Sequence, residues 1–104
     1  MQIGDFVQVH LQDPREQWLG RLIELRDAGV VLRGIEIRLV EAYRYQFQRD
    51  VLEVFPQTLF LPMRRIERIY LDEQLGDVPS MVATILTSTG FASEDLFAPG
   101  WGNN

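Results

Sequence analysis

The chain has 104 residues, a formal charge of −5 and no cysteine. That length suits one domain with a core of its own, and the missing cysteine excludes disulfides, thiolate metal sites and cysteine nucleophiles. All ten cations are arginines; they balance ten acids over residues 1–71, while residues 72–104 hold five acids and no cation.

That distribution argues against strong duplex binding, which draws its affinity from a basic face. A small arginine cluster reading a few phosphates stays compatible with it. The opening "MQIGDFVQV" has no basic stretch and no long apolar run, so no secretory signal is expected there. No window approaches the ~18 apolar residues of a membrane span. A soluble, cytoplasmic protein is the expectation.

In chain order, "FVQVHL" at 6–11 alternates with period 2, as a half-buried strand does. "QDPRE" supplies a turn around Pro14 and Asp13. A second strand is expected over 17–26, with Gly20 inside it marking a bend or a close backbone approach. "DAG" at 27–29 is a hairpin loop, and "VVLRGIEI" is a third strand, again with an internal glycine, Gly34. Tight turns and glycines within strands suggest a small bent barrel rather than a flat sheet.

Residues 38–50, "RLVEAYRYQFQRD", fit two periods. Period 2 puts Leu39, Tyr43, Tyr45 and Phe47 on one face, as the arm of an extended hairpin. Period 3.6 lines up Leu39, Ala42, Tyr43 and Phe47 opposite Glu41, Arg44 and Gln48. Glu41 and Arg44 then form an i,i+3 pair, and a short helical insertion is the preferred reading.

Strands four and five are expected at 58–63 and 66–71, with Pro62 at a strand end, an edge or a bulge. A C-terminal helix is predicted over about 78–89, with Pro79 in its first turn and Gly90 as its stop. Met81, Val82, Ile85, Leu86 and Thr89 form its apolar stripe. Residues 1–90 make the domain. Residues 91–104 form an acidic tail, expected to be flexible unless Phe97 or Trp101 docks.

Candidate sites are few. His10 is the lone histidine, and a zinc site needs about three protein ligands, so no metal is expected. The neighbours Asp72 and Glu73, like Glu94 and Asp95, read as solvated charge, because adjacent carboxylates rarely converge on one bond. Ser80, Ser88 and Ser93 have no base nearby in any motif. No P-loop, dinucleotide fingerprint or nucleophile elbow is present. No cofactor and no enzymatic activity are expected.

The cluster of interest is Tyr43, Tyr45, Phe47 and Phe55, interleaved with Arg38, Arg44 and Arg49. Aromatics beside arginines can stack bases or anchor a protein interface. The balanced charge favours the protein interface, and some of these rings can simply fill the core.

"WLGRLIELRDAGVVL" (18–32) and "FLPMRRIERI" (60–69) together resemble the two signatures of the Sm-like family within the SH3-like small barrels. The resemblance spans roughly 5–72, minus the irregular middle. It implies a mainly-β, five-stranded bent barrel, with the C-terminal helix packed on it and the insertion between strands 3 and 4. It also implies self-association through barrel edges.

RNA-binding members carry a base-reading Asn in the first turn, where this chain has a position near Gly29. Their second turn carries an Arg-Gly pair, where this chain has Pro62 and Met63. The implied RNA grip is therefore not reproduced. Arg64 and Arg65 either substitute for it or keep a turn in water, and the latter is favoured. The expected function is a non-enzymatic binding or assembly module, homo-oligomeric, with an unidentified protein partner. Single-stranded RNA contacted by Arg64, Arg65, Tyr43, Tyr45 and Arg44 is the rival.

Overall fold

The computed structural model of the protein describes residues 1–98. Its five antiparallel strands run in the order β4-β3-β2-β1-β5: β1 is Phe6–Leu11, β2 Glu16–Arg26, β3 Gly29–Glu36, β4 Gln57–Pro62 and β5 Ile66–Leu71. Each lies within a residue or two of its expected place. No ladder joins β4 to β5, so the sheet is not closed into a barrel.

The sheet is nevertheless strongly curled. The two outer strands are joined by only a 3-10 turn, Met63–Arg65. Leu59 and Leu61 of β4 share one cluster with Ile66 and Ile69 of β5, around Val7, Val9, Leu11, Trp18, Leu22, Val30 and Leu32. Alternation explains the membership on β1 and β4, where every second residue points to the same face; on β5 the members, Ile66 and Ile69, are three apart, because the β1–β5 register shifts between His10 and Leu11.

Curling needs the central strands to come close. Gly20 and Gly34 sit opposite each other in the β2–β3 ladder. A Cβ on Gly34 would lie 2.5 Å from the Gly20 Cα and against the Leu19 carbonyl; one on Gly20 would lie 2.6 Å from the Arg33 carbonyl. The glycines thus permit a close backbone approach. A register shift between Leu22 and Glu24 adds a bulge that increases local twist.

The opposite face is covered by helices. Residues 37–39 make a 3-10 turn, and α1 follows at Val40–Arg49, so the period-3.6 reading holds. Val40 and Tyr43 are buried and Phe47 packs beside them, although Ala42, expected in the stripe, is exposed. The Glu41–Arg44 pair forms at 2.8 Å. Helix α1 ends on Asp50, in left-handed conformation with φ 58.

Helix α2 is Met81–Thr89 and starts later than predicted. Residues 75–78 are taken by a tight hairpin, with Leu75 and Val78 exchanging backbone bonds of 2.9 and 3.0 Å. Three acceptors then meet the first amides of α2. Ser80 Oγ accepts from Ala83 N–H at 3.0 Å, and the Asp72 carboxylate accepts from Met81 and Val82 at 3.0 and 2.9 Å. Such caps satisfy orphan donors and place negative charge at the positive helix end. Asp72 is therefore a tether from the end of β5 to α2, where solvated charge was expected. Gly90 ends the helix with φ 76.

The segment after Gly90 closes this second layer. Leu96 and Phe97 are fully buried, with the Phe97 ring 6.2 Å from Phe6 and 5.6 Å from Tyr43. Burying each such side chain is worth about 1.5–3 kcal/mol. Arg21 donates to the Ser93 and Leu96 carbonyls at 2.7 and 3.2 Å, and Arg33 to that of Phe97 at 2.8 Å. Phe97 thus docks, and with it the segment up to Ala98 packs on the sheet. Docking of Trp101, and the flexibility of 99–104, lie outside the described residues.

Candidate functional site

The two arginines of the β4–β5 turn have separate fates. Arg65 folds back on the β1–β2 turn: it donates to the Gln12 carbonyl at 3.3 Å, the Pro14 carbonyl at 2.8 Å and Glu16 Oε2 at 3.0 Å. That guanidinium holds the Glu16 carboxyl below its ordinary value. Arg65 is thus a brace between two turns. Arg64 is exposed, and among the described residues its side chain has no hydrogen-bond or ion-pair partner. Met63 N–H donates to the Ala28 carbonyl at 2.9 Å, tying this turn to the β2–β3 loop.

The aromatic and arginine cluster is dispersed in the same way. Tyr43 lies in the core, where burial pushes its hydroxyl up to about 12. Phe47 stacks edge-on to it at 5.2 Å. Arg44 bridges the helices, donating to Ser88 Oγ at 3.0 Å and Glu41 at 2.8 Å. Arg38 pairs with Glu36 at 2.8 Å. Tyr45 and Phe55 alone of the four rings are exposed, Tyr45 with Arg44 5.5 Å above it. No single face gathers the cluster. No residue pattern marks Gln46, which is buried and pins the loop after α1: it donates to the Val54 carbonyl and accepts from Glu53 and Val54 N–H, at 2.8–3.0 Å.

The edges of the sheet present more. β4 and β5 each have one neighbour only, which leaves a row of unpaired backbone groups on both. Phe60 on β4 is 47% exposed, and Tyr70 on β5 is 44% exposed. Beside β5, a cavity of about 300 Å³ is lined by Gln8, His10, Tyr70, Leu71, Glu73 and Leu75. His10 meets the Tyr70 ring edge-on at 5.0 Å, and Arg68 donates to the Tyr70 hydroxyl at 2.8 Å. Phe60 and Tyr70 were not singled out from the sequence. For Phe60 the signal was there: it is a large ring between Leu59 and Leu61, on the opposite phase from these two core residues.

Chemistry-bearing groups do not converge. Among the described residues no three His, Cys, Asp or Glu side chains are placed to hold a metal ion. Asp72 is engaged with α2, and Ser80 and Ser88 serve as cap and bridge. No described helix is long and apolar enough to cross a membrane. No protein-family model matches the chain, and neither a curated protein nor a solved structure matches it significantly.

Proposed function

We propose that the chain is a non-enzymatic, cytoplasmic assembly module, an open-edged barrel of the Sm-like/SH3-like kind that associates with copies of itself. The barrel reading is supported by the short β4–β5 turn and by the one apolar cluster shared by both outer strands. The self-association reading rests on a single observation. The two free edges belong to different strands, and each displays a large exposed ring, Phe60 on one and Tyr70 on the other.

Pairing of β4 from one copy with β5 of the next completes both ladders and buries both rings. Such a contact is heterologous, and it closes into a ring when the rotation permits. Residues Gln57–Pro62 carry no charge, and on β5 Glu67 is paired with Arg68 at 2.9 Å, so no charge is stranded at the contact. Sedimentation of the native chain against Phe60→Lys tests this. Multimers should give way to folded monomer in the variant, since Phe60 is not core, with the melting temperature lowered only by the stabilisation that association supplies. A native chain that sediments as a monomer at all concentrations sinks the proposal.

A second reading, single-stranded RNA binding, is favoured by one feature: Arg64 is exposed and unpartnered among the described residues, at the tip of a turn. Each phosphate contact steepens the salt dependence of affinity. A salt-dependent titration of single-stranded RNA against native protein and Arg64→Ser decides it. Loss of about one slope unit supports RNA binding; no measurable affinity removes it.

A further inference from the structure

Of the four rings in the aromatic and arginine cluster, Phe55 alone has no aromatic or cation–π partner among the described residues. It is 48% exposed, yet the chain on both sides of it is fixed. Gln46 holds Val54 by its carbonyl and its N–H, at 2.9 and 2.8 Å, and Pro56 is buried. The ring is thus held out, just before β4, on an anchored backbone. A contact made there costs little further ordering.

Strand phase decides where that ring goes when β5 of a second copy pairs with β4. All four ladders of the sheet are antiparallel, and antiparallel pairing is the stronger kind per residue, so the added strand continues the pattern. β4 and β5 have six residues each. Full overlap sets Gln57, Thr58, Leu59 and Phe60 against Leu71, Tyr70, Ile69 and Arg68 of the next copy. That register keeps Leu59 and Ile69, both packed on the apolar cluster, on one face, and leaves Phe60 diagonal to Tyr70, within reach of a ring. A slip of one residue would put Leu59 and Ile69 on opposite faces.

Two residues before Gln57, Phe55 then lies just past Leu71, beside the cavity of about 300 Å³ at that end of β5. Tyr70, Leu71 and Leu75 give the cavity an apolar wall, and Leu75 is 68% exposed in a single copy. An apolar cavity of about 150 Å³ is enough to hold a benzene ring, so a phenyl side chain fits. Its neighbours Val54 and Pro56 bring no charge alongside Glu73. We infer that this cavity is the seat of Phe55 from a second copy. The inference rests on the edge-pairing reading and names the anchor of that contact, a ring buried in a pocket of its partner. Phe55 and the cavity lie beside opposite edges of the sheet, so each copy fills one neighbour and is filled by another.

The test is a mutant cycle, read by sedimentation of full-length protein over a dilution series. The native chain is compared with Phe55→Ala, Leu75→Ala and the double variant. Both side chains are exposed in one copy, so the dilute, dissociated variants should unfold as the native chain does. Each single variant should weaken association about tenfold or more. The double variant should lose little beyond either one, because both changes remove the same contact. Native affinity in either single variant, or losses that simply add, overturns the seat; multimers that still give way in Phe60→Lys then leave edge pairing standing. A native chain that is monomeric at every concentration overturns both.

Discussion

Arg65 donates to two carbonyls of the β1–β2 turn and to Glu16, while its neighbour Arg64 donates to none among the described residues. Two adjacent arginines of one turn therefore differ in what their removal does. Arg65→Ser releases two exposed carbonyls to water and leaves a part-buried carboxylate without its cation, and should cost about 1 kcal/mol in denaturant unfolding. Arg64→Ser should stay within about 0.5 kcal/mol, as exposed substitutions do. Equal costs would contradict the brace. The pairing also has a pH signature. Since the folded Glu16 pKa is depressed, its contribution is present above the ordinary 4.5 and lost as pH falls through the folded value. Tyr43 gives the opposite case. Burial raises it from 10.0 to about 12, so its contribution is complete below pH 10. It is lost as pH rises from there toward the folded value, because the unfolded chain ionises first. Tyr43→Phe should flatten that alkaline decline in chemical-denaturation curves taken across the window.

At the scale of elements, β1 and β4 were legible because an apolar residue recurs at every second position, and β5 was legible from apolar residues three apart, Ile66 and Ile69, a spacing that the register shift opposite His10 and Leu11 accommodates. The insertion 38–50 was legible only as a choice, since Tyr43 and Phe47 satisfy both periods; packing on Phe97 and Phe91 selects the helix. The α2 start was misplaced because nothing local announces that Asp72, nine residues away, caps Met81. Asp72→Ala should therefore destabilise by about 1–2 kcal/mol, the usual cost of a lost cap, with early loss of amide protection at Met81 and Val82. Gly34 and Gly20 were legible as a pair of oddities, and the ladder shows why: they face each other. Gly34→Val drives a side chain into the Leu19 carbonyl and the Gly20 Cα, neither of which can rotate away. It should cost about 3 kcal/mol or more; a melting temperature equal to the native one would remove the close-approach argument. Of the candidate site residues, type and spacing placed Tyr43 and Arg44 on one helix. They also put Tyr43 on the apolar side, where it is buried, but not the Arg44–Ser88 bridge to the second helix.

At the scale of the whole molecule, one chain carries two unsatisfied strand edges that face away from its own core. Natural proteins usually blunt such edges with lysine, proline or a covering segment. This chain has no lysine at all, and on β4 the only proline is Pro62, the last residue of the strand. The segment after Gly90 and the two helices cover the sheet's face, against Leu19 and Ile35, and leave the edges open. Edge pairing between copies makes a specific pattern in backbone exchange. Amides of β1, β2 and β3 that already bond within the sheet should exchange at rates independent of protein concentration. Edge amides of β4 and β5 that lack a partner within the chain should exchange fast in dilute solution and slow together as concentration rises. Phe60→Lys should leave them fast at every concentration, without altering β1 to β3. Protection that rises on β5 but not on β4 would mean that two copies pair like edges, β5 with β5, in an isologous contact. Protection on neither would return both strands to solvent, and the molecule to a monomer with open edges.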